Sequence, residues 1–123
     1  MEYEIKLAES QKYIIVKIFN EMTTAKGQAT AIESDKLADV YNIKNFLYDV
    51  REAPNVESTT TNYNFAYKSM PKFQEKGVRH VAILTSPMDV THNFLITVMI
   101  NAGYQVAHFT DENEAIKWLD ANQ

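Results

Sequence analysis

At the start of the chain Tyr3, Ile5 and Leu7 alternate with Glu2, Glu4 and Lys6, the two-residue period of a strand with one wet face. A polar break over residues 8–12 leads into Tyr13-Ile14-Ile15-Val16-Lys17-Ile18-Phe19, which is β-branched, aromatic and apolar on both faces. The pattern predicts a hairpin whose second strand lies inside a sheet. From Phe46 onward one unit recurs three times: a short apolar run, a polar crest, a longer amphipathic segment and a helix-stop residue. Strands alternating with helices in this way imply parallel pairing through crossover helices. The expected fold is a single α/β domain over residues 1–123: a five-stranded mixed sheet with an antiparallel N-terminal hairpin, the remaining strands parallel, and four helices.

Local chemistry sets the expected boundaries. Thr23 or Thr24 caps a first helix carrying Ala25, Ala29, Ile32, Leu37, Ala38 and Tyr41 at helical spacing, with Gly27 a weak point near its start and Asn42 a left-handed stop. Residues 46–50 form the third strand, and the polar run 51–57, with Pro54, forms the loop at its end. Ser58 caps a second helix that buries Tyr63, Ala66, Tyr67, Met70 and Phe73; Pro71 kinks or splits it and Gly77 closes it. Residues 81–84 form the fourth strand, and Asp89 or Thr91 starts a third helix that runs to Gly103. Residues 105–109 form the fifth strand, and Asp111 caps a last helix pinned by Ala115, Ile116, Trp118 and Leu119. The third helix is apolar almost all round, with only Asn93, Thr97 and Asn101 forming a polar line. Such a helix is buried on more than one side, and any exposed part is expected to form a two-fold contact in a homodimer.

Composition narrows the functional classes. A chain of 123 residues with 46% hydrophobic and 23% charged residues can bury an ordinary core without disulfides or metals. Its net charge of −4, with Lys and Arg scattered, argues against a nucleic-acid partner. The absence of cysteine excludes disulfides, thiolate catalysis and thiolate metal sites, and suits a reducing compartment. Met1 leads straight into Glu2-Tyr3-Glu4, so no secretory leader is expected, and the apolar stretch 94–102 is too short to cross a bilayer. A cytoplasmic protein with no membrane partner is expected.

Two polar clusters fall just beyond strand ends. One holds Asp49, Arg51, Asn55 and Ser58; the other holds Ser86, Asp89, Thr91 and His92. If the third and fourth strands are neighbours, Asp49, Arg51, Asn55, Asp89 and His92 line one crevice at the carboxyl edge of the sheet, where open α/β sheets bind ligands. Helix N-termini at Ser58 and near Asp89, together with Arg51, would then suit an anion. The same residues also fit a plainer reading, in which Asp49 pairs with Arg51 and His92 is a neutral hydrogen-bond donor.

Enzyme chemistry finds little support. Ser86, Asp89 and His92 supply the letters of a hydrolytic triad, but they share one loop and lack a Gly-x-Ser-x-Gly elbow. His80, His92 and His108 have no ligand spacing, so no metal is expected. Gly27, Gly77 and Gly103 are too far apart for a phosphate loop, and no cofactor is expected. Asp49 ends a central strand as a phosphoacceptor aspartate does, but Leu7-Ala8-Glu9 lacks the acidic pair that would hold Mg²⁺.

Four stretches carry a family resemblance: Phe46-Leu47-Tyr48-Asp49-Val50-Arg51; Val81-Ala82-Ile83-Leu84 with Asp89-Val90-Thr91-His92-Asn93-Phe94; Asn101-Ala102-Gly103-Tyr104; and Phe109-Thr110-Asp111 leading to Glu114-Ala115-Ile116-Lys117-Trp118-Leu119. In this order and length the chain resembles the STAS domain of anti-sigma-factor antagonists, more closely its SpoIIAA-like branch. The resemblance implies a non-enzymatic regulatory or protein-interaction module. It also implies that a serine opening the helix after the third strand is phosphorylated by a partner kinase, which breaks a protein complex. Val56-Glu57-Ser58-Thr59 places Ser58 there, though the family writes Ser-Gly where this chain has Ser58-Thr59-Thr60; as a plain alternative, Ser58 is a helix cap. Lipid-binding relatives of the same architecture imply an apolar ligand pocket beneath the third helix; with the strand-end crevice it gives the alternative function, a carrier of a small apolar or anionic ligand.

Overall fold

The computed structural model describes residues 2–69 and 79–123. They form one sheet of five strands in chain order: β1 (Tyr3–Leu7), β2 (Ile14–Phe19), β3 (Asn45–Glu52), β4 (His80–Leu84) and β5 (Gln105–Phe109). β1 and β2 are antiparallel and every later pairing is parallel, as the sequence pattern predicts. Four α-helices occur among the described residues: α1 (Thr24–Tyr41), α2 (Thr59–Asn64), α3 (Asn93–Asn101) and α4 (Glu112–Ala121). α2 runs on into a π-helical turn, Phe65–Ser69.

Strands that follow one another in chain order with right-handed crossovers gather their connecting helices on one face. The register bears this out. Ile14, Phe46, Val81 and Val106 lie in one row facing α1, α2 and α3, while Ile15, Leu47, Ala82 and Ala107 form the adjacent row facing the other way. On that second face α4 is the one helix packed among the described residues, through Ala115 and Leu119 against Leu47, Ala82 and Leu84.

The end signals act as their chemistry dictates. Thr23 caps α1 by accepting from the Lys26 N–H at 3.1 Å, and Asn42 ends it in the left-handed region at φ 55°, ψ 49°. Ser58 caps α2 and Asp111 caps α4, each accepting from an N–H three residues on at 3.1 Å. α3 starts later than expected, at Asn93. Asp89 accepts from the Thr91 N–H at 2.9 Å and the Thr91 hydroxyl at 2.6 Å, a side-chain turn that competes with helix and holds residues 89–91 out of it.

Two buried faces differ from expectation. α1 buries Gly27, Thr30, Ala31, Ser34, Asp35 and Ala38, whereas Ala25 and Tyr41 are exposed. The hydroxyls can be buried because Thr30 donates to the Lys26 carbonyl at 2.8 Å and Ser34 to that of Ala31 at 3.2 Å, while Asp35 is paired with Arg79. Gly27 has a packing reason: a Cβ there would lie 3.0 Å from Met22 Cε and 3.2 Å from Phe65 Cζ. In the second helix Ala66 is buried as expected, but Tyr63 and Tyr67 are exposed with their rings in tilted contact, and Asn62 and Phe65 point inward instead. Asn62 is drawn in by its bond to Asn55, and the wider π-turn re-aims the residues after it. The expected burial of Met70 and Phe73, the kink at Pro71 and the stop at Gly77 lie outside the described residues.

α3 behaves as an apolar helix with a wet back. Leu95, Ile96, Val98 and Met99 are buried, and Asn93, Thr97 and Asn101 are exposed with Phe94 and Ile100. Burial within the chain therefore accounts for most of its apolar surface.

Candidate functional site

β3 delivers the first polar residues to the carboxyl edge of the sheet. Asp49 and Arg51 stand two apart and so share a face. Arg51 grips Asp49 with both arms, Nε to Oδ1 at 3.0 Å and Nη2 to Oδ2 at 2.7 Å, and its Nη2 also reaches Glu112 Oε1 at 3.0 Å. Burial pushes the Asp49 carboxyl up, but the hydrogen bonds and charge of Arg51 outweigh it and hold the group below the usual carboxylate range. The pair lines an open hollow of about 360 Å³ beside α4, with Tyr13, Lys17 and Phe19.

The chain then crosses to the three-helix face. There the loops after β2, β3 and β4 are clamped together. Met22 donates to the Pro54 carbonyl at 2.8 Å and accepts from the Val56 N–H at 3.1 Å. Asn55, only 8% exposed, ties three segments: its N–H donates to Thr91 Oγ1 at 2.8 Å, its Nδ2 to Asn62 Oδ1 at 3.2 Å, and its Oδ1 accepts from the Glu57 N–H at 2.9 Å. Glu57 accepts in turn from the Thr24 N–H at the start of α1. His92, buried, donates from Nε2 to the Ala53 carbonyl at 2.8 Å, with Asp89 Oδ2 at 3.7 Å. Burial lowers the His92 pKa against the opposing pull of Ala53 and Asp89. Burial raises that of Asp89, but the Thr91 bonds outweigh it and the carboxyl sits low.

The expected crevice is thus divided. Asp49 and Arg51 share the strand-end edge with Asn55, Asp89 and His92, but lie on the opposite face of the sheet, because the pleat sends Asp49 away from the Tyr48 and Val50 side. Arg51 turns its donors to Asp49 and Glu112, and α3 begins beyond Asp89, so the two helix starts and the guanidinium do not converge as an anion site would require. Ser58 is exposed beside the clamp; its hydroxyl donates to Thr61 Oγ1 at 2.8 Å while capping α2. Ser86 contributes its carbonyl, which accepts from Thr85 Oγ1 at 3.1 Å and from the Asp89 N–H at 3.2 Å.

Beneath the clamp is an apolar cavity of about 70 Å³. The sheet supplies Tyr48, Val50, Val81 and Ile83 to its wall, α1 supplies Gly27 and Ala31, and Phe65, Leu95, Ile96 and Met99 close it with Met22 and His92. Burial raises the Tyr48 hydroxyl pKa, against the lowering influence of the neighbouring Ser34 and Thr30 side chains. Among the described residues no group of three His, Asp or Glu side chains could hold a metal, and no helix is long and apolar enough to cross a membrane.

Four surface residues at this edge escaped the polar-cluster reading. Met88 is 91% exposed, Val90 68%, Val56 56% and Phe94 42%. The signal for them was present: three are apolar residues set in otherwise polar loops. Comparisons with known protein families and with curated proteins find no match.

Proposed function

We propose that this domain is a non-enzymatic protein-interaction module of the cytosol, of the regulatory kind its resemblance to STAS antagonists implies, docking through the strand-end edge beside Ser58. The observation that carries the reading is the exposure of Val56, Met88 and Val90 on loops, and of Phe94 in the first turn of α3, on a frame that Asn55 and His92 clamp in place. Apolar side chains held out to water on a rigid frame fit a partner with little ordering cost. Ser58 lies two residues from Val56, where a modification would alter the docking surface while α2 keeps its cap. The test is affinity purification of the tagged chain and of its Met88→Ser/Val90→Ser double variant from the cells that make it. A protein retained by the first and lost from the second, at equal thermal stability, supports the reading; identical co-purifying sets contradict it.

The cavity supports a second reading, a carrier of a small apolar ligand. At about 70 Å³ it is roughly half the ~150 Å³ of an engineered apolar cavity that accepts benzene, so it takes a few heavy atoms rather than a lipid chain. That size ranks the carrier below the interaction module. A native mass spectrum of the purified protein showing a stoichiometric apolar adduct would reverse the order.

A further inference from the structure

The strand-end edge is acidic as well as apolar. The loops after β2, β3, β4 and β5, residues 20–23, 53–58, 85–92 and 110–111, contain Glu21, Glu57, Asp89 and Asp111 and neither Lys nor Arg. The first turn of α4 adds Glu112 and Glu114. Among the described residues the cations near this edge are already engaged: Arg51 with Asp49 and Glu112, Lys17 with Glu52 at 3.2 Å, Lys117 with Glu114 at 3.6 Å, and Lys26 with the carbonyls of Phe19 and Glu21 at 3.3 and 2.7 Å. Glu57 and Asp89 are held in place by Thr24 and Thr91, so part of the field is fixed relative to the exposed Val56, Met88 and Val90.

We infer that the partner of this edge is a protein segment that presents apolar side chains flanked by Lys and Arg, most simply one face of a basic amphipathic helix. The inference rests on the interaction reading above and adds the chemistry of the partner. Nucleic acid and anionic lipid surfaces are repelled by the same field. The sign of any switch at Ser58 follows. In the family that the chain resembles, phosphate there releases the partner. Here a negative charge at residue 58 extends a field that attracts a basic partner, so it tightens the complex. Asp is as good an N-cap as Ser, so Ser58→Asp tests the charge without removing the cap.

The probes are three synthetic amphipathic peptides of about 18 residues, sharing one leucine face and differing in a polar face of Lys, Gln or Glu. Each is titrated into the ¹⁵N-labelled full chain. The Lys peptide is expected to shift the amides of residues 55–58, 86 and 88–94, to bind about tenfold more weakly in the Met88→Ser/Val90→Ser variant, and to bind Ser58→Asp severalfold more tightly. Its affinity should also fall about tenfold or more between about 50 and 300 mM salt. Equal binding of the Lys and Glu peptides, shifts confined to another surface, or weaker binding to Ser58→Asp would overturn the inference. If the double variant loses its cellular partner while the Lys peptide fails these tests, the charge assignment falls and the interaction reading stands. If the cellular partner is indifferent to the double variant, both fall.

Discussion

His92 is 3% exposed, and because a carbonyl only accepts, its bond to Ala53 places the hydrogen on Nε2 of a neutral imidazole. The unfolded chain takes up a proton near pH ~6.5, whereas burial lowers the folded value, with Asp89 raising it and His108 lowering it. Below that pH the unfolded state binds more protons, so stability present at neutral pH is lost as the pH falls. His92→Gln removes the titration, and it should flatten the decline in melting temperature between about pH 7 and pH 5 relative to wild type. Equal slopes would show that His92 is not the group responsible. A second residue-scale prediction concerns Asn42, whose φ of 55° places it where a Cβ is strained. Asn42→Ala should cost about 1 kcal/mol in urea unfolding and Asn42→Gly much less. At this scale the caps Thr23, Asn42, Ser58 and Asp111 were legible, because each acts on backbone groups within a few residues. The Asp89–Thr91 turn was not, since Asp89 reads equally well as a helix cap until its bonds to Thr91 are seen.

Among the elements, the packing of α1 and α3 over the sheet leaves the cavity beside Val50. At about 24 cal/mol per Å³ its 70 Å³ corresponds to a deficit of about 2 kcal/mol relative to a filled core. Val50→Ile adds one methyl from the cavity wall and retains a β-branched residue in β3. It should raise stability by up to about 1 kcal/mol, measured by urea unfolding. Destabilisation by about that amount or more would mean that the space is already closed by neighbouring side chains. The strands were legible from period and β-branching, and β5 occupies the expected residues 105–109. The inward faces of α1 and α2 were not, because they rest on buried Thr30, Ser34 and Asn62, whose polarity is hidden by hydrogen bonds that a hydrophobic pattern does not register.

For the whole molecule, the strand order, with β3 beside β4, stays open in the sequence, whereas the mixed pairing was readable from the alternation of elements, since a hairpin followed by crossovers leaves few topologies. Which side of the sheet each polar residue faces was not. Asp49 and His92 reach one edge and separate only through the pleat of β3 and the path of residues 53–55. That separation divides an expected ligand crevice into an ion-paired hollow beside α4 and a clamped loop edge bearing exposed apolar side chains. The claim that this edge docks a protein is tested most directly by a photo-reactive residue placed at position 88 and, as a control on the outer surface of α4, at position 117, with cross-linking in intact cells. One discrete protein adduct from position 88 and none from position 117 is the expected result. No adduct from position 88, or the same adducts from both, would contradict the claim.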